Sequence, residues 1–401
     1  FENRDVLFKK KFFSFYRLET AFYDLAQGFY QQCLKNIRAR SIPNSFINLI
    51  VRQQFKLAFL CELKQDTHTA LRHYKNAYHH CTEAEVSNND LFEIRLVSGL
   101  ISFKICQLSF LHNSALDAIW QQQRHISTFF NSASGSYPSP QLAIIEHNLW
   151  KSKQCAKFAE LFERAVSSGL AAVSTQHPGL HWHAAADYYR IANVYISTLW
   201  SMQGNYSFSY PDPDPLSSLQ PFIFYGQRPW RAGIEDGSLA SEAVEKNAQL
   251  ALMLRYIPDH TQCIAWLTSA LNHYKKYKCQ RTQRYIMVLM ADEYASLNQH
   301  VKALQLLSHM LSECRIERFF MPLATLLTKS LNYSFIIADV KEFMSVSIQM
   351  MNIRNFPCFT GVADEIISNF NLVRAGQPPN SLSIMTISQD QVKLLFNQEI
   401  L

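Results

Sequence analysis

Glycine and proline are scarce in this chain, at 11 and 14 of 401 residues. Average usage is about 7% and 5%. Several stretches lack both residues, which favours long helices over a turn-rich β fold. The nine cysteines are odd in number and scattered, and no pair has C-x-x-C spacing. That argues against a zinc site or a disulfide framework and fits a reducing compartment. No G-x-S-x-G, P-loop, G-x-G-x-x-G or H-E-x-x-H motif occurs, so no enzyme and no catalytic or cofactor residue is expected. A net charge of +6 is small for this length and leaves no nucleic-acid footprint. Long apolar runs are missing too. LVSGLISFKICQLSFLH (96–112) comes nearest, but it is short, Lys104 interrupts it and Arg95 flanks it. It is read as a deeply buried helix. The first residues, FENRDVLFKKK, form no signal peptide. With Phe1 rather than methionine at its start, the chain is expected to be a fragment.

What is present is apolar content, 48% of the residues, and a repeated skeleton. Ala58, Cys61, Ala70, Tyr74 and Ala77 are separated by three, nine, four and three positions. Ala291, Tyr294, Ala303, Leu307 and Met310 repeat those gaps. Small residues at this spacing suit the crossing of two antiparallel helices, as in a tetratricopeptide-type hairpin. The expected fold is therefore all-α, an α-solenoid of antiparallel helix hairpins. Cys106, Ser109 and Ala118 begin a third copy, which Gln122 and His125 then break. Asp66 is read as the N-cap of the helix carrying Ala70.

Phe15, Leu18, Phe22, Leu25 and Phe29 give a first helix over 11–40 its apolar stripe. Helices are then expected over 45–63, from Asp66, and over 90–112, 114–130 and 142–172. One more ends near 200, and others cover 241–257, 259–279, 281–297, 300–315, 320–337 and 339–353. Residues 201–240 form one long loop rich in proline and aromatics. SLSIMTIS (381–388) has β-like composition. The expected domains are a helical solenoid over 1–355 and a segment over 356–401 that leads into a following strand.

Two segments are candidate interaction sites. The first is the aromatic block Phe222–Arg231, with Phe224, Tyr225, Gly226, Gln227, Arg228, Trp230 and Arg231. Its apolar groups either plug a groove of the chain itself, the favoured reading, or anchor another subunit. The second is the basic cluster Lys275, Lys276, Lys278, Arg281 and Arg284, interleaved with Tyr274, Tyr277 and Tyr285. It suits an acidic partner or anionic lipid, against the plainer reading of an exposed helix end. His177, His181 and His183 straddle a turn and are read as exposed histidines at a helix start rather than metal ligands. Asp212 and Asp214 alternate with prolines in a stiff spacer. Asp292–Glu293 and Asp364–Glu365 are read as solvated helix faces, because neighbours on a helix do not face each other.

Five segments carry a family resemblance: RLETAFYDLAQGFY (17–30), RQQFKLAFLCELKQDTHTALRHYKNAY (52–78), YPDPDPLSSLQPFIFYGQRPWRAG (210–233), HYKKYKCQR (273–281) and MADEYASLNQHVKALQLL (290–307). The chain resembles the foie-gras domain of the large subunit, usually numbered eleven, of the trafficking protein particle (TRAPP) complex. The YGQRPWR and LKQDTHTAL blocks are the specific part of the match. The resemblance implies a non-catalytic α-solenoid in a multisubunit complex of ER-to-Golgi transport and autophagy, whose core subunits activate a Rab GTPase. It implies other TRAPP subunits as partners, no cofactor, and a cytoplasmic location peripheral to the cis-Golgi and ER–Golgi intermediate compartment. The repeats depart from the tetratricopeptide pattern at Ala58 and Ala291, where glycine is usual, and at Thr82 and Arg315, where proline closes the repeat. The alternative is a peripheral membrane-binding solenoid that uses the cations near 275–284.

Overall fold

The computed structural model describes residues 2–84, 91–129, 140–202, 258–317 and 320–353. Among them the chain is all-helical, with one isolated β-bridge between Val173 and Gln176. Two compact units are distinguished. The first carries α1 (Glu2–Arg38), α2 (Ile47–Leu63), α3 (Thr67–Glu83), α4 (Leu91–Leu111), α5 (Ala115–Thr128) and α6 (Pro140–Ser167). The second carries α7 (Pro178–Met202), α8 (His260–Lys276), α9 (Gln280–Ser296), α10 (His300–Glu317), α11 (Phe320–Ile337) and α12 (Val340–Ile353). In each unit the helices pack mainly on their neighbours in sequence, and α6 also packs on α4. The loop over 201–240, the helix over 241–257 and the strand near 381–388 fall outside the described residues.

One turn recurs and sets this succession. Gln65, Asn113, Lys278, Asn298 and Ala338 all have φ between 57° and 62°. In each case the following residue donates its N–H to the carbonyl five positions back: Asp66 to Cys61, Ser114 to Ser109, Cys279 to Tyr274, Gln299 to Tyr294 and Asp339 to Ser334. The left-handed residue donates three positions back. This is the Schellman arrangement, which satisfies helix-end carbonyls that would otherwise lack partners. The residue after the left-handed one immediately opens the next helix. Asp66 Oδ1 accepts the Thr69 N–H at 3.1 Å, and Asp339 Oδ1 accepts that of Glu342 at 3.1 Å. A connection this short makes the chain double back on itself.

Small residues occupy the contacts that result. Ala58, Ala70 and Ala77 are wholly buried with Cys61 and Tyr74 in the core of the first unit. Ala291, Ala303, Leu307 and Met310 are wholly buried in the second, with Tyr294 packed beside them. The third copy corrects the sequence reading. Gln122 and His125 do not break the register, since both are buried with Cys106, Ser109 and Ala118. The core accepts His125 because its Nδ1 meets the Tyr78 hydroxyl at 3.1 Å and its ring packs edge-on against Phe129 and Trp150. The apolar stretch Ile94–Leu111 of α4 could cross a membrane by length and composition. Here it packs on α3, α5 and α6. Lys104 Nζ is paired with Glu62 at 2.8 Å, and Arg95 is buried over the Trp150 ring. On α1, Leu18, Phe22, Leu25 and Phe29 are exposed.

Left-handed backbone costs a residue with a Cβ about 1–2 kcal/mol, part of which glycine recovers. Ala338→Gly is therefore expected to raise stability by up to about 1 kcal/mol, read as a higher urea midpoint. Gly169, at φ +105°, should show the reverse on substitution by alanine.

Candidate interaction surface

The basic cluster lies on a single hairpin turn. Lys275 and Lys276 end α8, Tyr277 caps it, Lys278 is the left-handed residue, Cys279 opens α9, and Arg281 lies in its first turn. Lys275, Lys276, Lys278 and Arg281 are all exposed. The interleaved tyrosines point elsewhere. Tyr274 is buried, and its ring meets His177 edge-on at 4.8 Å. Tyr277 stacks on His177 at 4.7 Å, and Tyr285 meets His183 edge-on at 5.7 Å. Lys276 Nζ lies 5.6 Å from the centre of the Tyr277 ring. Arg284 turns away and holds Glu313 at 3.1 Å. The exposed surface of this turn is thus cationic, and its aromatics are structural.

His177 is wholly buried, which corrects the expectation of exposed histidines at this helix start. Its Nδ1 accepts the Gly179 N–H at 3.1 Å. Burial, and then the nearby His273, push its pKa down to about 4. A Cβ on Gly179 would come within 2.6 Å of the His273 Cβ, so α7 and α8 approach closely at this point. His181 and His183 are half-buried, and His183 lies 3.3 Å from Asp187. No group of three or more metal-ligating side chains forms among the described residues.

The pair Asp292–Glu293 is a second correction, since it is no solvated face. Glu293 is 5% exposed and Arg190 4%. Arg190 Nε donates to Glu293 Oε1 at 2.6 Å, and His260 Nδ1 lies 2.7 Å from Oε2. Asp292 holds Lys329 at 2.6 Å and lies 3.9 Å from Arg190. Adjacent carboxylates on α9 thus serve different neighbours: Glu293 reaches α7 and α8, and Asp292 reaches α11. The signal missed in the sequence was Arg190 itself, which has Asp187 one turn before it and Asn193 one turn after it on a largely apolar helix. Burial alone would raise the Glu293 pKa. The hydrogen bond from His260 and the Arg190 charge outweigh it, and the carboxyl is held below its usual range. Burial alone would likewise depress Arg190, yet the Glu293 and Asp292 charges leave it raised.

Phe224, Tyr225, Gly226, Gln227, Arg228, Trp230 and Arg231 lie outside the described residues, as do Asp212, Asp214 and the pair Asp364–Glu365.

Comparison with known proteins bears on these same segments. The sequence model of the family described as Foie gras liver health family 1 matches residues 90–353. The chain belongs to this family. It is also 37% identical over 344 residues to trafficking protein particle complex subunit 11 of Gallus gallus, and 36% identical over the same length to the subunits of that name from Homo sapiens and Bos taurus. Each match covers 84% of this chain and 30% of the relative, so the chain spans under a third of the length of the relatives it matches. The foie-gras match takes in the hairpin with the four exposed cations and the Arg190–Glu293 pair.

Removing one partner of a buried ion pair strands the other, at about 3–5 kcal/mol. Glu293→Ala should lower stability by that order, whereas Lys275→Ala, at an exposed site, should change it by less than about 0.5 kcal/mol. Stability should also depend on acid. Burial brings His125 and His147 down to about 3 and His177 to about 4, from an ordinary 6.5. As pH falls below 6.5 the unfolded chain takes up these protons first, so stability is lost progressively towards those folded values. Glu293, with its depressed pKa, stabilises above the ordinary carboxyl value and loses that contribution as pH falls through its folded value. Urea midpoints should therefore decline steadily as pH falls below 6.5.

Proposed function

We propose that this chain is a non-catalytic helical scaffold of a TRAPP-type complex acting in ER-to-Golgi vesicle transport and autophagy. The supporting observation is the similarity over 344 residues to proteins named as subunit 11 of that complex. In this reading, residues 1–355 stack their hairpins into a tetratricopeptide-like solenoid, and 356–401 lead to a following domain. The scaffold positions core subunits that carry out Rab nucleotide exchange. It works in the cytoplasm, peripheral to the cis-Golgi and the ER–Golgi intermediate compartment. Three recurrences of the small-residue register and five of one turn support a stiff array that offers surface rather than a pocket.

Two sites are assigned to docking: the block Phe224–Arg231 and the turn Lys275–Arg281. In full-length protein carrying Trp230→Ala and Arg231→Ala, normal folding with loss of co-purification of the other subunits would support docking. Unfolding would indicate that the block plugs a groove of its own chain. Normal folding with intact assembly would remove it as a docking site.

The four exposed cations on one turn favour a second reading, direct contact with anionic membrane. Each charge near such a surface contributes about 1 kcal/mol, so four suffice for weak, salt-sensitive binding. The inward tyrosines leave the turn without an apolar anchor, which ranks this reading second. Reversal at Lys275, Lys276 and Lys278 to glutamate should abolish sedimentation with phosphatidylserine liposomes. Absence of sedimentation by the unaltered protein ends the reading.

A further inference from the structure

We propose that a small groove in the first unit, formed by α3, α4 and α5, binds a peptide segment bearing an acidic and an aromatic side chain. The groove encloses about 150 Å³ and is lined by Lys75, Tyr78, Ile105, Asp117, Trp120 and Arg124. Pockets for small molecules and cofactors measure about 300–1,000 Å³. This volume suits one or two side chains of a larger partner.

Its floor is rigid. Tyr78 and Ile105 are each 1% exposed, and the Tyr78 hydroxyl is fixed against His125. Its wall is an apolar group left in water, since Trp120 is 60% exposed on α5. Leu116, one turn before it, is exposed as well. Between floor and wall stands a cation held by rings. The Arg124 guanidinium lies 5.5 Å from the centre of Tyr78 and 5.6 Å from that of Trp120. Neither Arg124 nor the exposed Lys75 has a carboxylate partner among the described residues, although Asp117 lines the same groove.

Two cations without a carboxylate and a single acid leave the groove cationic. Its complement is a carboxylate, which a guanidinium can hold through two parallel hydrogen bonds. Arg124 is already oriented by its rings, so less entropy is lost on binding than for a free side chain. The Trp120 face offers stacking area to an aromatic neighbour of that carboxylate. Tryptophan, tyrosine and arginine together are the side chains most often found to dominate binding energy at protein interfaces. Asp117 repels the same ligand and disfavours purely acidic segments. The groove lies in the first unit and does not involve the basic turn.

The test is fluorescence anisotropy with the full-length protein and a fluorescein-labelled peptide of repeating Glu-Glu-Phe. Saturable binding is expected, and it should weaken as salt is raised. Lys75→Glu and Arg124→Gln should each weaken it by about tenfold or more, the scale of one charge-assisted contact. Lys75 is exposed, so its substitution leaves folding intact. Asp117→Asn should tighten binding, an effect that a folding defect would not produce. A Lys-Lys-Phe peptide should not bind, and a Glu-Glu-Gly peptide should bind more weakly. Lack of saturable binding, unchanged affinity in Lys75→Glu, or equal binding of the Lys-Lys-Phe peptide would each overturn the proposal. Equal binding of the Glu-Glu-Gly peptide would overturn the aromatic requirement. Binding to phosphatidylserine vesicles that Lys75→Glu abolishes, without peptide binding, would overturn it in favour of a lipid surface.

Discussion

Paired helices in this chain must approach closely, and most other features follow from that. Ala58, Ala70, Ala77, Ala118, Ala291 and Ala303 have no surface left exposed. The separation of two helices is set by the side chains at their contact. A methyl group at these positions lets the larger neighbours Tyr74, Leu307 and Met310 fill the space beside the crossing. Replacing the methyl by a branched side chain would push the helices apart and open voids around those neighbours. The left-handed turn makes the approach possible. It uses one strained residue to end a helix and the next to start another, which leaves little slack. The strain at Gln65, Lys278 and Ala338 is accepted because each turn satisfies helix-end carbonyls and brings a whole apolar face against its partner.

Close packing explains why polar groups are buried and how they are tolerated. Arg190 on α7 is buried against Glu293 of α9, and it would be costly there without that carboxylate. The carboxylates on α9 tie α7, α8 and α11 to one helix and constrain their register as well as their distance. In the first unit His125 has a comparable place among Tyr78, Phe129 and Trp150, held neutral by burial. A purely apolar core could slide along a helix groove. Hydrogen-bonded groups at fixed positions resist that motion.

The candidate surface groups fall where this packing leaves side chains over. On the turn after α8 the aromatics are drawn inward to His177 and His183, and the cations remain outside. Beside α5, Trp120 and Arg124 are left at the surface above a floor that includes the buried Tyr78. Both surfaces come from rigid helices rather than from long loops.

The helices and their crossing points were legible in the sequence. Scarce glycine and proline, heptad-like stripes and the repeated spacing of small residues are local patterns, and a helix imposes its periodicity wherever its partner lies. The N-cap at Asp66 and the hairpin over Ala291–Met310 could be read for that reason. So could the four outward cations, because long charged side chains have a strong preference for water. The continuation through Gln122 and His125, the burial of His177 and the roles of Asp292 and Glu293 were not legible. Each depends on which residue of a distant helix arrives opposite, such as Arg190 on Glu293 across 103 positions of sequence. Composition and spacing determined that the chain would pack as paired helices with a cationic turn. Tertiary structure alone decided which polar side chains are buried and which apolar ones remain in water, because burial is a property of the neighbours and not of the residue.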